Sequence, residues 1–436
     1  MCGIAGIYKK DSNPNLSAKL DLMGDILAHR GPDDNGKWIT ENNKVGFFHQ
    51  RLSIIDLSKS AKQPMTDQNG NWIVFNGEIY NYKSLKNDLR ENFFSNSDTE
   101  VILRAYKKWG KNCIKHFRGM FAFAIWDESK QELFCARDHF GIKPFYYMQS
   151  ENEFYFASET KAILPFINQL EPNLEAVKDY LTFQLCLGGK TMFKKIFQLE
   201  PAHYMVVSNK GVRIEKYWDV NFEPDRSLGE NSYREELIER LKDSIKAHMI
   251  SDVPVGVYLS GGYDSSAISS LASNFGGENN LIGFNGKFSK YGSNFDESIY
   301  AKEVAEQGKF EIQELEISAQ DFIDNIHKVI YHLDYPVAGP GSFSQYMISS
   351  LAAKSRKVVL GGQGGDEIFG GYTRYLIAYF EQCIKAAING NYKNGNFVVT
   401  YESIIPNLNS LKNYTPMLKE FWKDGLFDKM LSLIHI

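Results

Sequence analysis

The first half of the chain alternates short apolar runs with turn-forming residues, which is typical of β-strands. The clearest runs, rich in aromatic and β-branched residues, are 45–48, 72–75, 121–126 and 154–157. Asn76-Gly77, directly after the second run, is a strong turn signal. The stretch 99–109 has helical periodicity, and Ser97 with the acidic residues after it is typical of a helix start. The pattern predicts two or more β-sheets that are covered by helices.

The pattern changes near Ser232. An amphipathic helix is predicted over 233–249, an apolar strand over 253–259 and a helix over 265–273, and 357–360 is a second apolar strand. Buried apolar strands that alternate with helices are typical of a parallel α/β sheet. We therefore predict two domains, over 1–215 and 230–430, with the boundary inside the polar stretch 219–231.

Composition narrows the class of protein. A formal charge of -4 over 436 residues offers no basic surface of the kind that nucleic acid requires. The five cysteines are widely spaced, which argues against a disulfide framework and against zinc. Neither a signal peptide nor an apolar run of membrane-spanning length is present. We expect a soluble, cytoplasmic protein with small-molecule partners.

Cys2 is a candidate nucleophile because of its position. If Met1 is removed, Cys2 carries a thiol and a free α-amine, so one residue supplies both the nucleophile and its base. A small buried cysteine that begins a strand is the alternative reading of the same residue.

A glycine- and serine-rich loop, 260–266, joins the predicted strand 253–259 to a helix. Glycines at such a junction let the backbone approach a phosphate, and the helix N-terminus supplies donors. The loop is neither a Walker A motif nor a dinucleotide fingerprint. Asp264 suits a Mg²⁺ ligand, and Asp366 follows the strand 357–360 at the same predicted sheet edge.

These motifs carry a family resemblance. The 260–266 loop resembles the pyrophosphatase loop of N-type ATP pyrophosphatases, and 359–372 is similar to the matching segment of glutamine-hydrolysing asparagine synthetases. The segments 2–4, 30–33, 76–78 and 97–98 together resemble a class II glutamine amidotransferase domain. The segments 118–124, 137–144 and 157–162 fit the asparagine synthetase branch. The resemblance implies an N-terminal-nucleophile hydrolase αββα sandwich, followed by a parallel-sheet α/β domain of the adenine nucleotide α-hydrolase type.

Glutamine hydrolysis, which the resemblance implies, needs particular groups. Arg51 offers a fork for the α-carboxylate, Glu78 and Asp98 offer charge for the α-ammonium, and the Asn76 side chain with the Gly77 N–H offers an oxyanion hole. The predicted glutamine contacts are Arg51, Leu52, Ser53, Ile54, Ile55, Asn76, Gly77, Glu78 and Asp98, with Cys2, Asn76 and Gly77 as catalytic residues.

The resemblance also implies an ATP site that adenylates aspartate. The implied ATP contacts are Leu259, Ser260, Gly261, Gly262, Asp264, Ser265, Ser266, Gly286, Gly361 and Gly362. Gln363 matches a position that is important for forming the adenylate, and Asp264 and Asp366 match Mg²⁺ ligands. Related enzymes are often dimers, so a homodimer is a possible assembly.

Three departures from the family pattern stand out. Tyr263 replaces the usual small aliphatic residue in the loop. The family's Arg-x-Pro-Phe-Leu-Asp segment and a later lysine do not follow Tyr372, so we expect a synthetase domain that is incomplete at its C-terminus, with weak or no asparagine formation. The last six residues, 431–436, match translated sequencing-adaptor DNA and are expected to be a non-native tail.

The sequence is compatible with two alternative functions. In the first, the protein amidates a sugar or peptide carboxylate, as relatives with these motifs do. In the second, it is a regulatory protein that retains the fold without activity. Intact Cys2, Arg51, Asn76, Glu78 and Asp264 argue against the regulatory alternative. The SGGYDSS loop excludes sister classes that join the same glutaminase to a sugar isomerase or a phosphoribosyltransferase.

Overall fold

The computed structural model describes residues 1–223, 225, 227–275, 281–292, 296–336, 341–372, 375 and 379. The expected non-native tail, 431–436, and the end of the predicted second domain lie outside these residues. No helix within the described ranges is long and apolar enough to cross a membrane.

The N-terminal part contains two six-stranded antiparallel sheets. Its strands are β1 (Gly3–Lys9), β2 (Asp34–Ile39), β3 (Val45–Arg51), β4 (Met65–Thr66), β5 (Asn71–Ile79), β6 (Gly119–Asp127), β7 (Glu132–Arg137), β8 (Tyr146–Gln149), β9 (Glu153–Ala157), β10 (Phe197–Gln198), β11 (His203–Ser208) and β12 (Gly211–Lys216). The first sheet has the order β10-β8-β9-β1-β3-β2, and the second has the order β12-β11-β7-β6-β5-β4.

Side-chain packing arranges these sheets as a four-layer sandwich. The helices of this part are α1 (Leu16–Ile26), α2 (Tyr82–Leu89), α3 (Asp98–Trp109) and α4 (Leu174–Phe183). Ile4 of β1 and Val74 of β5 meet in a core between the sheets. Ile7 packs outward against α1, and Phe75 packs outward against α2 and α3. Because alternate residues of a strand face opposite sides, each sheet buries both of its faces. The predicted αββα arrangement is confirmed.

The predicted strands and the helix of this part are confirmed, but the predicted turn is wrong. Asn76-Gly77 does not form a turn, because β5 continues to Ile79 and stays paired with β6 over its whole length. Arg51 is the last residue of β3, and a loop follows. Ser97 caps α3 by accepting a hydrogen bond from the Glu100 N–H (3.4 Å).

The later part of the chain contains a four-stranded parallel sheet of order β15-β14-β13-β16. Its strands are β13 (Val255–Tyr258), β14 (Ile282–Lys287), β15 (Glu311–Glu316) and β16 (Val358–Leu360). Its helices are α5 (Glu230–His248), α6 (Tyr263–Ser273), α7 (Ser298–Gly308), α8 (Ala319–Leu333), α9 (Gly341–Ala352) and α10 (Gly365–Phe369). The predicted parallel α/β sheet is confirmed.

The structure divides into two compact units. One compact unit comprises Met1–Gly262 and Ser266–Gly361, so it contains the sandwich and the parallel sheet together. The other comprises Tyr263–Ser265 and the described residues from Gly362 onward. Within the first unit, the Asp252 N–H donates to the Ile54 carbonyl (3.0 Å) and the Asp56 N–H donates to the Asp252 carboxylate (2.7 Å). These bonds join the sandwich to the segment that enters β13.

Candidate active site

Cys2 lies immediately before β1, at the end of the sandwich where β3 also ends. Its Sγ accepts a hydrogen bond from the Leu52 N–H at 3.4 Å and lies 3.7 Å from the Leu52 carbonyl oxygen. Its own carbonyl accepts from Arg30 Nε at 2.9 Å. The position of Cys2 is thus set from both sides, by the loop after β3 and by the Arg30 side chain.

Cys2 opens onto a cavity of about 450 Å³ within the first compact unit. The sandwich contributes Met1, Cys2, Arg51, Leu52, Ile54, Ile55, Ala61, Gln63, Phe75, Asn76, Gly77, Glu78, Ser97, Asp98, Thr99, Met120 and Lys143 to its lining. The parallel sheet and α9 contribute Tyr258, Ser349, Ala352, Ala353, Arg356, Lys357, Val358 and Val359. The cavity therefore extends from the predicted nucleophile to the start of β16.

Two hydrogen-bond donors face this cavity from β5. Asn76 is 1% exposed, yet its Nδ2 has no hydrogen-bond partner among the described residues. The N–H groups of Phe75 and Ile79 are taken by the side chains of Gln63 (2.6 Å) and Asp98 (2.9 Å). By strand alternation the Gly77 N–H leaves the same edge between them, where the cavity lies. An unpaired buried donor is costly, so this pair is set up for an acceptor that a substrate brings.

Two buried carboxyl groups stand beside these donors. Glu78 and Asp98 are 6% and 5% exposed and both line the cavity. Burial raises the pKa of Asp98 to about 6, and burial together with the Asp98 charge raises the pKa of Glu78 well above its usual range. A cation bound between them would favour both charged forms, which is the property expected of an ammonium site.

Arg51 is buried and lines the cavity at the end of β3. Its Nη1 donates to the Ser58 carbonyl (3.0 Å) and its Nη2 to the Asp56 carbonyl. These bonds fix the plane of the guanidinium, and other donors of the group remain for a carboxylate. Ser53, a predicted glutamine contact, is not among the lining residues; its N–H donates to Asp33 at 2.7 Å.

A buried chain of charges connects the Cys2 backbone to the helix α8. Arg30 Nη1 lies 2.7 Å from Glu159, Glu159 accepts from Lys161 at 2.5 Å, and Lys161 lies 2.8 Å from Asp334. The His29 ring, 3.0 Å from Glu159, together with Arg30 and Lys161 holds the pKa of Glu159 down, to about 2, although burial opposes the shift. Sequence reasoning assigned no role to Glu159, Lys161 or Asp334, because a charged residue in a sequence gives no sign of being buried.

The predicted phosphate loop follows β13 as expected. Leu259 is buried, and its carbonyl accepts from Asn285 Nδ2 at 2.7 Å. Gly261 has a φ of +96°, and a side chain there would meet Glu297. Gly262 caps α6, and its carbonyl accepts from the Ser266 N–H (3.0 Å). Ser260 precedes them, and Gly361 follows β16 at the same carboxyl edge of the parallel sheet.

Gly286 has a packing role in the structure. It lies inside β14, where an added Cβ would come within 3.0 Å of the Ile317 and Ile348 side chains. A larger residue there would require these two side chains to shift by a few tenths of an ångström, so glycine gives the closest packing.

The second compact unit holds the remaining predicted ATP and metal residues. Asp264 and Ser265 lie in the first turn of α6, Gln363 lies in the turn before α10, and Asp366 is the second residue of that helix. An added Cβ at Gly365 would overlap the Asp264 carboxylate, and one at Gly362 would come within 2.8 Å of the Ser265 backbone nitrogen. Tyr263 is 97% exposed. Among the described residues, no group of three or more metal-ligating side chains is placed to hold an ion.

Two family models match successive parts of the chain. Residues 1–218 match a family model described as a glutamine amidotransferase domain, and residues 236–430 match one described as asparagine synthase.

The chain is 36% identical over 382 residues to "Asparagine synthetase [glutamine-hydrolyzing] 1" of Bacillus subtilis, an alignment that covers 86% of this chain and 59% of the relative. It is 37% identical over 407 residues to "Putative asparagine synthetase [glutamine-hydrolyzing] 2" of Methanocaldococcus jannaschii, with 87% and 77% covered. "Amidase chry2" of Gibberella zeae is 33% identical over 406 residues, with 86% and 60% covered. The chain thus spans about three fifths of the Bacillus and Gibberella relatives. It belongs to the family of glutamine-hydrolysing asparagine synthetases.

Proposed function

We propose that this protein hydrolyses glutamine at Cys2 and transfers the ammonia to aspartate that ATP has activated, which gives asparagine. The observation that carries the proposal is the pair of open donors, Asn76 Nδ2 and the Gly77 N–H, in the same cavity as the Cys2 thiol. Family membership supports glutamine-dependent amidation as the class of reaction.

The first step requires an N-terminal cysteine. Removal of Met1 frees the α-amine of Cys2, which then takes the thiol proton while sulfur attacks the side-chain amide carbon of glutamine. The amine of Met1 indicates how this environment acts on an amine: burial lowers its pKa to about 5. An amine that is unprotonated at neutral pH is suited to serve as the base.

Different buried groups around Cys2 bind different parts of the glutamine substrate. Arg51 pairs with the α-carboxylate, and Glu78 and Asp98 pair with the α-ammonium. The oxyanion of the tetrahedral intermediate accepts hydrogen bonds from Asn76 Nδ2 and the Gly77 N–H. The Cys2 amine returns its proton to the leaving nitrogen, ammonia departs, and water hydrolyses the thioester to glutamate.

The cavity supports a transfer of ammonia within the protein. Its lining continues from Cys2 to Ala352, Val358 and Val359, residues of α9 and of the strand that leads to Gly361. A path lined partly by apolar side chains keeps ammonia from being protonated by bulk water.

ATP is proposed to bind at the 260–266 loop and the Gly361-Gly362 pair. Asp264 and Asp366 supply two carboxylates, and Mg²⁺ prefers one or two carboxylates together with substrate phosphates, so the donor set fits this ion. The bound ion would neutralise phosphate charge as AMP is transferred to the substrate carboxylate. Gln363, in the turn before α10, is proposed to help form the adenylate.

The glutaminase proposal is tested by Cys2→Ala. We expect glutamate release from glutamine to fall to background, because no other group in the cavity supplies the sulfur nucleophile. Cys186→Ala is the matched control, since Cys186 is a half-buried thiol that does not line the cavity. Glutamate release that persists in Cys2→Ala would reject the assignment.

A second candidate acceptor is a carboxylate other than that of aspartate. The observation behind it is the 33% identity to a relative named an amidase. Incubation with amide-¹⁵N glutamine, ATP, Mg²⁺ and aspartate separates the two. ¹⁵N-asparagine formed together with AMP and pyrophosphate supports aspartate; glutamine-dependent AMP formation only with another carboxylic acid supports the alternative.

A further inference from the structure

Lys143 is a buried cation that the proposed mechanism does not use. It lies in the loop after β7, is 5% exposed and lines the cavity with Cys2 and Glu78. Its backbone is held firmly, because its N–H donates to the Asp138 carboxylate (2.9 Å) and its carbonyl accepts from Arg137 Nε (2.7 Å). The origin of the side chain is therefore fixed, and its ammonium group reaches the cavity.

The ammonium of Lys143 has one hydrogen-bond partner among the described residues. That partner is the thioether sulfur of Met1, at 3.2 Å. A thioether is a weak acceptor, and a buried ammonium that lacks a good partner is costly. Burial accordingly lowers the pKa of Lys143, against the opposing charges of Glu78 and Cys2.

Met1 supplies this partner of Lys143, and the mechanism requires that Met1 be removed. When Met1 leaves, the ammonium loses that contact, and the space beside it becomes part of the cavity that holds Cys2. The charged and titratable groups that face this region are Glu78 from β5, Asp98 from α3, Asp138 from the loop after β7, Arg30 from the turn after α1, and the N-terminal amine. Burial raises the pKa of the Cys2 thiol, whereas the Leu52 hydrogen bond and the positive charges of the N-terminus, Lys143 and Arg30 oppose this rise.

We propose that Lys143 is a further functional residue of the glutaminase site, whose ammonium stabilises the Cys2 thiolate once Met1 is removed. The proposal rests on Cys2 as the nucleophile. Arg30 is already engaged by Glu159 and by the Cys2 carbonyl, so its charge is largely neutralised. Within the part of the chain that the structure describes, the Lys143 charge has no such partner, and it is a larger influence than Arg30 on a thiolate in this cavity.

The test uses Lys143→Met, which keeps most of the length of the unbranched side chain and removes its charge. Mass spectrometry of the intact protein first establishes that Met1 is absent. The rate of Cys2 alkylation by iodoacetamide is then followed from pH 5 to pH 10, with Cys2 identified by peptide mass among the other cysteines. We expect the apparent pKa of the thiol to rise by about one unit, so that alkylation at pH 7 is about tenfold slower. Lys143→Arg should restore most of the rate.

Lys357→Met is the matched control, because Lys357 lines the same cavity but is paired with Asp33 at 2.7 Å. Its alkylation profile should match the original protein. An unchanged profile in Lys143→Met would overturn the proposal and leave Lys143 with a structural role only. If Lys143→Met does not fold, Lys143→Gln carries the same test. Alkylation measures the thiol itself. If Lys143→Met shifts the pKa of the thiol but the original protein does not hydrolyse glutamine, the role of Lys143 is supported and the proposed function is rejected.

Discussion

The sandwich and the later part of the chain hold their candidate site residues in different environments. Around Cys2, the groups that matter are nearly inaccessible: Asn76, Glu78 and Asp98 belong to strand β5 and helix α3, inside a packed core. Most of the predicted ATP residues lie at the carboxyl ends of β13 and β16 or in the helical turn that follows, and most are half-buried or exposed, although Leu259 and Ser265 are buried. Tyr263, the first residue of α6, is almost fully exposed. Charges and open donors therefore act in a low dielectric in the first region and close to water in the second.

This contrast teaches that the two regions respond to substitution on different scales. A buried site is preorganised by its fold, so a single change removes a fixed interaction or leaves a buried group unpaired. A site built on exposed loops depends more on what the ligand contributes when it binds. The following predictions test the contrast, from the largest effect to the smallest.

Glu159→Ala should produce the largest loss of stability. It leaves Arg30 and Lys161 as buried cations without their common partner, so we expect the free energy of unfolding to fall by about 3–5 kcal/mol. Because the folded-state pKa of Glu159 lies near 2, below its ordinary 4.5, its stabilisation is present above pH 4.5 and is lost as the pH falls toward 2. Urea unfolding at several pH values measures both effects.

The control is Glu236→Ala, which breaks an exposed pair with Arg240 on α5. A change within about 0.5 kcal/mol is expected there. Equal losses in the two variants would contradict the assumed importance of burial.

Asn76→Ala should lower kcat for glutamine hydrolysis by about 10²–10³-fold, because it removes one donor to the oxyanion. KM should change little, since this bond forms mainly in the transition state. Asn81→Ala is the control: Asn81 lies just beyond β5, but its side chain bonds the His116 carbonyl and the Arg118 N–H outside the cavity. Steady-state kinetics distinguish the two, and a pure KM effect at Asn76 would exclude the oxyanion role.

Asp98→Asn should stabilise the free protein and weaken its binding of glutamine. The raised pKa of Asp98, about 6, means that the folded state disfavours the carboxylate, so stability is lost as the pH rises through 6. The asparagine variant avoids this loss and should unfold with a free energy about 2–3 kcal/mol higher at pH 8, with little difference at pH 4.

The same substitution should raise KM for glutamine, because one charge opposite the α-ammonium is gone. Asp21→Asn, at an exposed pair with Lys37, should alter neither quantity appreciably. A loss of stability at pH 8 in Asp98→Asn would show that the carboxylate is paired in the free protein.

Lys357→Met should have the smallest effect. Its ion pair with Asp33 joins β16 to the sandwich, but the two side chains are 41% and 24% exposed. Solvent screens such a pair, so we expect a loss of at most about 1 kcal/mol, and less at high salt. Thermal unfolding at low and high salt measures this, and a loss that equals that of Glu159→Ala would remove the distinction between buried and exposed links.

Much of this organisation follows from the sequence because it is encoded locally. Short apolar runs predict β3, β5, β6 and β9 as strands, and the family motifs single out Cys2, Arg51, Asn76 and Asp98, which line one cavity in the structure. Asn76-Gly77 was misread as a turn because the local propensity of this pair favours turns, whereas pairing with β6 overrides it.

Other features depend on contacts between residues that are distant in the chain. Lys143 lies in a motif that supports the family resemblance, but nothing in the motif reveals that its ammonium is buried against Met1. Asp334 is 174 positions from Thr160, whose N–H donates to it at 2.7 Å. Such pairings are set by the tertiary fold, and one sequence alone carries no signal for them.

The chain of charges from Arg30 to Asp334 affects where this protein can be cut to make a stable fragment. Two family modules meet between residues 218 and 236, which makes that stretch an obvious place to cut. A glutaminase fragment that ends there would lack Asp334, so Lys161 and the Thr160 N–H would each lose a partner. In such a fragment the Ile54 carbonyl would also lose the hydrogen bond that it accepts from the Asp252 N–H. The two modules match separate family models but share one compact unit, so a fragment for expression should include both.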